Sequence, residues 1–569
     1  MPLDEAATRS SRLDRPPVNL SRIAPAATAI VVIVYLLLLA VTRTLDQGDT
    51  GVYADDIVHA LHGQSSSLWE FGHAIWRPIG FMLLRVVSAG SASVGNAVAY
   101  SRATTALTIV SMLGGAIALM SLVSWLTRLG ISTVTAAVVA ASFSCSAAFL
   151  GYAQTGASYI PALGMFMLGL SCVARADDES RRWSVLWASL AFAASVLLWF
   201  PMVLGVPAAA ISMIVLRGNT KRRRLAAVGV CAISGSLTVL VYVLIAGLAG
   251  IRSVTAFRAW MSQASNGIAG LGGLSRVVVG FGRSILNMDR LGLITKRHLI
   301  HDPYNPTTWG DILSGGLLRL AVLYLVLGVV AVVLSRKHDG RRAIAFLVLT
   351  AIPVVGFAFM WQGGDLERYL AMFPALFLAL AIAVSSVSES TRLGIAGFGV
   401  ILLAVTNVPA ISRSRSRQEC ALLSSRLGAI PRDSSGPNMV LTPHAMDEIA
   451  SFRSRCPRDP LLINTGSLRV FGLVMPHTIT AAGWRDTLAA RASRTWEQNG
   501  HLWISRRAFR PTPAADWKWA EGDEPSVPWR DFPAYFDSVD VGPPLGGADG
   551  FVELLPTPRT LEHLRRTHH

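Results

Sequence analysis

The chain has 569 residues, of which 52% are hydrophobic and only 15% charged, with a mean hydropathy of +0.46. A soluble protein of that length carries nearer 25% charged residues, so a single water-soluble globule is excluded and a polytopic membrane protein is indicated. The net charge of +16 argues little for nucleic acid, because the basic residues sit in short loops between apolar runs and form no stripe with interleaved aromatics.

The first 22 residues are polar and basic, and an apolar run at 23–42 follows. No small-residue cleavage site comes directly after it, so it reads as a retained first span. Further runs lie at 102–127, 133–151, 157–175, 184–199, 201–217, 225–247, 316–335, 343–361, 367–386 and 393–410. Together they predict an α-helical polytopic membrane protein with about 11 transmembrane helices. The pair 184–199 and 201–217 meets at Trp199-Phe200-Pro201, where proline interrupts helical hydrogen bonding.

Segment 75–91 decides the topology, since counting it as a span would reverse everything after it. With 75–91 on the membrane surface, Arg128, Arg175, Arg181, Arg182, Arg217, Lys221 to Arg224, Arg336, Lys337, Arg341, Arg342 and Arg392 all face one side. The alternate short loops carry no Lys or Arg. That bias fits the positive-inside rule, and Arg77, Pro78 and Arg85 suit an interfacial helix. The expected organisation is a cytoplasmic tail at 1–22, a transmembrane domain at 23–410 with outer loops 43–101 and 248–315, and an extracytoplasmic soluble domain at 411–569. Apolar alternation at 438–442, 461–474 and 501–505, with a helical pattern at 484–496, gives that domain an α/β or β-rich character. Its last 60 residues, rich in Pro, Gly, Asp and Trp, read as partly extended. Its tryptophans suit packing or carbohydrate binding, packing being the commoner role.

Among the five cysteines, Cys145, Cys172 and Cys231 fall in apolar runs as small core residues, while Cys420 and Cys456 lie in the hydrophilic part, where an oxidising compartment would permit a disulfide. There is no CxxC, HExxH or Walker loop, so no cofactor is required and no ligand spacing supports a metal. Loop 43–101 concentrates chemistry-bearing residues instead. Asp46, Asp49, Asp55 and Asp56 lie within eleven residues, followed by Trp69, Phe71, His73, Trp76 and Arg77. A carboxylate at the outer end of a span can take a proton from a hydroxyl, and a solvated loop acid is the alternative. Arginine binds phosphate through a planar fork, and an interfacial aromatic can stack on a sugar or anchor a helix. Arg102 opens the next span as a ligand or a boundary charge. Asp365, Glu367, Arg368 and Tyr369 sit at the outer end of a late span, where polar groups mark a substrate pathway or snorkel.

The strings DTGVY at 49–53, WRPIGFMLLR at 76–85, YSRATTAL at 100–107, GYAQTGASYIPALGMFML at 151–168 and LERYLAMFPAL at 366–376 resemble the GT-C class of membrane glycosyltransferases. The nearest likeness is to bacterial relatives of protein mannosyltransferases and of the lipid A aminoarabinose transferase. The resemblance covers about residues 23–410. It departs at Thr50-Gly51, at Trp76-Arg77 and at Thr155-Gly156-Ala157. It implies a multi-pass enzyme of the bacterial inner membrane that moves a sugar from a polyprenyl-phosphate-linked donor to an envelope glycan, lipid or protein acceptor outside. Asp49 would be the catalytic acid–base group. Asp46, Tyr53, Asp56, His73, Trp76, Arg77, Arg102, Glu367, Arg368 and Tyr369 would bind substrate, with Arg77, Arg102 and Arg368 holding the polyprenyl phosphate. A polymerase or ligase for lipid-linked glycans would use similar outer arginines and differ in moving a preassembled chain. A flippase would need ionisable residues in mid-span, which are scarce here.

Overall fold

The computed structural model describes residues 23–42, 50–61, 63, 68–88, 96–176, 183–263, 273–288, 308–312, 316–361, 363–413, 430, 438–442, 468–472, 484–506, 536–545 and 550–566. In chain order, the helices of the apolar part are α1 (Ile23–Val41), α2 (Thr50–Leu61), α3 (Trp76–Ser88), α4 (Asn96–Arg128), α5 (Thr133–Ser144), α6 (Ala147–Ala153) and α7 (Tyr159–Arg175). These are followed by α8 (Trp183–Leu198), α9 (Val206–Arg217), α10 (Lys221–Leu248), α11 (Val254–Gln263) and α12 (Gly273–Ile285). The last four are α13 (Leu318–Ser335), α14 (His338–Met360), α15 (Phe373–Val384) and α16 (Glu389–Arg413). Short 3-10 turns at Phe71–His73, Phe200–Leu204 and Leu366–Met372 precede α3, α9 and α15.

Among the described residues, 7 helices are long and apolar enough to cross a membrane, or up to 8 if the bent pair α5–α6 is one span. Shorter apolar helices at Pro25–Val41, Tyr159–Arg175 and Trp183–Leu198 fall on the remaining apolar runs of the sequence. The bundle closes around α4 and α7, which approach through glycine. A Cβ on Gly164 would lie 2.5 Å from the Gly114 carbonyl oxygen, and one on Gly114 would lie 2.6 Å from Pro161 Cα. Where the alternative surroundings are lipid tails as apolar as the side chains, apolar burial gives little net drive, so close backbone packing of this kind supplies the attraction. Tyr35 of α1 donates to Met112 O at 3.0 Å, which holds the first helix on α4.

The run expected as a single span at 133–151 is instead broken, with α5 and α6 meeting at 69°. Hydroxyls cause the break. Ser144 donates to Ala141 O at 2.7 Å and Ser146 to Phe143 O at 2.8 Å, local bonds that compete with the helical ladder. The displaced Cys145 carbonyl accepts from the Asn407 amide of α16 at 2.7 Å. Asn407, fully buried, also donates to Ile285 O at 2.9 Å and accepts from the Asn287 backbone N–H at 2.6 Å. One amide thus ties α16, the end of α12 and the α5–α6 corner together.

Within segment 75–91, Trp76–Ser88 forms α3, which hides Trp76, Gly80 and Leu84 against the bundle and exposes Met82, Val86 and Val87. In the C-terminal part, β1 (Asn438–Thr442), β2 (Leu468–Gly472), β3 (His501–Ser505) and β4 (Phe551–Leu554) form a four-stranded sheet in the order β2-β1-β3-β4. β1 pairs in parallel with β2 and β3, whereas β4 is an antiparallel edge on β3. Helices α17 (Trp484–Glu497) and α18 (Pro558–Arg566) complete the described α/β unit, and the last 60 residues, expected as partly extended, include β4 and α18. Trp503 on β3 is buried and packs in this unit. Cys420 and Cys456 lie outside the described residues.

Candidate functional site

Asp46 and Asp49 lie outside the described residues, but both flanks of 43–49 are fixed against the same turn. On the near side, Gln154 donates its amide to Thr42, whose hydroxyl donates to Leu38 O at 2.6 Å. On the far side, Thr50 is buried against Gly156: a Cβ there would fall 2.6 Å from Thr50 Cγ2. Asp49 therefore directly precedes a residue packed on the α6–α7 connection. That connection exists where it does because of the α5–α6 corner.

The second flank of the site is α2 with the 69–77 stretch. Arg77 bridges two carboxylates, Glu70 at 2.8 Å and Asp56 at 3.2 Å, and its guanidinium lies 5.4 Å from the Tyr53 ring centroid. Burial pushes the Glu70 carboxyl above its ordinary pKa, and the Arg77 charge opposes that rise. One cation between two acids is a poor place for a third anion, so the geometry favours Arg77 as the organiser of Asp56 and Glu70 over its expected role as phosphate holder. His73 is buried; its Nδ1 lies 2.6 Å from Ser158 Oγ and 3.2 Å from Leu198 O. The carbonyl only accepts, whereas the serine hydroxyl can donate to Nδ1 or accept from it, so both contacts fix the ring in place. Trp76, expected on a sugar or at the interface, is fully enclosed and donates its indole N–H to Gly156 O at 2.9 Å. It pins α3 to the α6–α7 turn.

The third element is the turn before α15. Glu367 and Arg368 are both buried there, which requires partners, because an unpaired buried charge costs several kcal/mol, roughly. Tyr152 of α6 donates to Glu367 Oε2 at 2.5 Å. Arg368 reaches Glu367 and Asp365 at 3.7 Å each and lies 4.5 Å from the Trp361 ring centroid. Tyr369 is fully buried, with its hydroxyl donating toward Gly363 O at 2.6 Å and Val277 O at 3.0 Å. Its place is a clamp on the turn rather than the expected substrate surface.

Two helices of the 248–315 stretch, α11 and α12, fold back on these flanks. From α11, Trp260 donates to Trp69 O at 2.9 Å and its ring meets Phe71 at 5.4 Å between centroids. From α12, Arg283 donates to Gly364 O at 3.1 Å. Burial lowers the Arg283 pKa, while Tyr152, Asp365 and Glu367 act electrostatically to raise it. Rings connect the flanks: Tyr53 to His73 at 5.3 Å, His73 to Tyr159 at 5.9 Å and Tyr159 to Tyr152 at 4.9 Å. The structure thus gathers Tyr53, Asp56, His73, Arg77, Glu367 and Arg368 along one path. Arg102 lies half-buried near the start of α4, which packs against α2 and α3.

Sequence reasoning missed Glu70, Tyr152, Ser158, Tyr159 and Arg283. The available signal was polar and aromatic density: Tyr152, Gln154, Thr155, Ser158 and Tyr159 fall within eight residues between two apolar runs. Beside Phe71, an apolar groove of about 700 Å³ runs between α8, α9, α10 and α11, walled by Phe200, Val239, Tyr242, Val243 and Phe257. Among the described residues, no three His, Cys, Asp or Glu side chains converge as a metal site.

Solved structures resemble this chain. ArnT from Cupriavidus metallidurans in the apo state superposes with a TM-score of 0.50 over 88% of this chain and 98% of that one, at 12% identity. The same protein bound to undecaprenyl phosphate gives 0.47 over 87% and 96%, also at 12% identity. An oligosaccharyltransferase from Archaeoglobus fulgidus gives 0.44 over 85% and 68%, at 13% identity. No family model and no curated protein sequence matches the chain. The chain is an α-helical polytopic membrane protein with a GT-C-like fold, and at 12% identity the likeness is one of fold.

Proposed function

We propose that the protein is a membrane glycosyltransferase that moves a sugar from a polyprenyl-phosphate-linked donor to an envelope glycan, lipid or protein acceptor on the outer face of the bacterial inner membrane. The observation that carries this reading is the joining of the two flanks of 43–49 to the α6–α7 turn, whose Tyr152 contacts the Glu367–Arg368 turn, with an apolar groove alongside. Such a site offers a carboxylate, cations and a lipid-compatible channel within one neighbourhood. The fold shared with ArnT supports the same reaction class.

In this reading Asp49 takes the proton from the acceptor hydroxyl. The acceptor oxygen attacks the anomeric carbon from the face opposite the phosphate, the carbon–oxygen bond to the phosphate breaks, and polyprenyl phosphate leaves with that electron pair. Arg283 stabilises the charge as it builds on the phosphate, a contribution that fixed charges make well in a water-poor site, while Arg368, paired with Glu367 and Asp365, holds the turn beside it. Arg102 adjoins the same outer ends. Arg77 holds Asp56 and Glu70, and Tyr53, His73 and Tyr159 form the wall that positions the sugar. The polyprenyl chain lies along the groove, where aliphatic and aromatic side chains replace lipid contacts.

The test is transfer by purified protein supplied with labelled polyprenyl-phosphate sugars and envelope fractions, wild type beside Asp49→Asn. Loss of a general base lowers turnover by about 10²–10⁴-fold, with membrane insertion unchanged. Wild-type rates from the variant would remove Asp49 from the chemistry, and absence of transfer from every lipid-linked donor would remove the reading itself.

A further inference from the structure

Two helix ends converge on one side chain. Cys145 is the C-cap of α5, and Ile285 is the last residue of α12. The final carbonyls of a helix have no partner within it. Here both find one in Asn407 of α16, whose amide donates to Cys145 O at 2.7 Å and to Ile285 O at 2.9 Å. The Asn407 side-chain oxygen accepts from the Asn287 backbone N–H at 2.6 Å. Two donors and one acceptor in one plane are what an amide supplies, and neither a carboxylic acid nor a hydroxyl can replace it. Much of α16 has a different setting: Phe398, Ile401 and Val405 are exposed, while Asn407 is fully enclosed.

Both capped ends lead to the candidate site. Past the α5–α6 corner, α6 carries Tyr152, which donates to Glu367 Oε2 at 2.5 Å. On α12, Arg283 stands two residues before Ile285 and donates to Gly364 O at 3.1 Å. The contacts therefore close a ring that runs from Asn407 through α6, the 364–367 turn and α12 back to Asn407. α6 and α12 also pack on each other and on Leu366–Met372. Among the described residues Arg283 is in no ion pair, whereas Arg77 and Arg368 each meet two carboxylates. Opening the ring at Asn407 strands three buried backbone groups, and the end of α12 must shift against α6 for them to regain partners.

We infer that Asn407 is a positioning residue for transfer: it sets Arg283 against the Tyr152–Glu367 pair without itself touching substrate. The inference rests on the reading of Arg283 as the cation that stabilises charge on the leaving phosphate. Such a cation helps only if it is in place before the charge develops, so a displaced Arg283 lowers turnover more than donor binding.

Asn407→Asp keeps the shape and loses a donor, since a carboxylic acid has one hydrogen and a carboxylate none. With purified protein and a labelled polyprenyl-phosphate sugar, it should lower kcat by about 10–10²-fold, the range a misplacement near 1 Å produces. The apparent donor KM should stay within about two-fold. In an Arg283→Gln background the same substitution should cost less than about three-fold, because residues that act through one group are not additive. Should the aspartate variant fail to fold, Asn287→Pro removes the N–H that Asn407 accepts and should reproduce the kcat loss relative to Asn287→Ala, which keeps it. Amide exchange at 286–288, followed by mass spectrometry, reads the clamp without substrate and should quicken in Asn407→Leu. A kcat within about two-fold of wild type, an equal loss in both backgrounds, or unaltered exchange would each overturn the positioning role alone. Absence of transfer by wild type from every lipid-linked donor would remove the transferase reading and the positioning role with it.

Discussion

The most stringent test of the site's architecture is Gly280→Ala. Gly280 lies on α12 where it passes the 363–364 turn, and a Cβ there would fall 1.9 Å from Gly363 O, 3.0 Å from Gly363 C and 3.1 Å from Gly364 Cα. The obstacle is backbone, so no side-chain rotation relieves it. Restoring an ordinary non-bonded distance requires α12 and the turn to part by about 1.5 Å. The same turn is held by Tyr369 to Gly363 O and by Arg283 to Gly364 O, so parting strains both bonds, each contributing about 1 kcal/mol. Overpacking adds about 1–3 kcal/mol of destabilisation. Because Asp365, Glu367 and Arg368 follow directly, a shift of this size should lower transfer by about 10²-fold, the usual consequence of a misplacement near 1 Å. Radiolabelled sugar transfer reads the activity and thermal unfolding of the detergent-solubilised protein reads the stability. Gly328→Ala, with nothing within 4 Å and outside the groove, is the control and should be neutral. Activity within two-fold of wild type for Gly280→Ala would refute the claim that α12 positions this turn.

Asn407→Leu should destabilise the fold by about 3 kcal/mol or more, because Cys145 O, Ile285 O and Asn287 N–H lose their partner together and each buried orphan costs about 1–3 kcal/mol; a variant as stable as wild type in chemical denaturation would show that the α5–α6 corner does not depend on it. Arg283→Gln should lower turnover more than it raises the apparent donor KM if the arginine acts on charge developing at the phosphate, and the reverse split would assign it to ground-state binding. For Glu70, the folded pKa is raised above the ordinary 4.5, so its contribution to stability is fully present below the unfolded value and is lost as pH rises through the folded one. Glu70→Gln should flatten that part of the Tm–pH profile, and an unaltered profile would mean that the carboxyl is solvated.

Much of the fold was legible because its causes are local. Apolar run length dictates which segments can cross a bilayer, and helices cover each of the runs read from the sequence. Proline dictated the break at Trp199-Phe200-Pro201, where a 3-10 turn separates α8 from α9. Alternation located three of the four strands in the C-terminal unit. The corner inside 133–151 was not legible by run length, since Ser144, Cys145 and Ser146 read as ordinary residues of an apolar span. The two serine hydroxyls end the helix there, and an amide from α16, more than 250 residues away, donates to the Cys145 carbonyl.

The sequence by itself determined that the chain is built of membrane helices and that residues 49–77 and 365–369 are rich in groups able to handle a sugar and a phosphate, because composition and spacing suffice for both. Only the tertiary structure decided which of these groups are surface and which are framework. Trp76 and Tyr369 look like ligand contacts in one dimension but are enclosed and spend their N–H and O–H on backbone carbonyls. Arg77 looks like a phosphate ligand but lies between Asp56 and Glu70. Arg283, unremarked in a long loop, lands beside Glu367 because α12 folds back onto the bundle. The physical reason is common to all four: a polar group's role depends on what it can pair with, and Gly156 for Trp76, Val277 for Tyr369, Asp56 for Arg77 and Gly364 for Arg283 lie 80, 92, 21 and 81 residues away along the chain, brought into reach by helix packing.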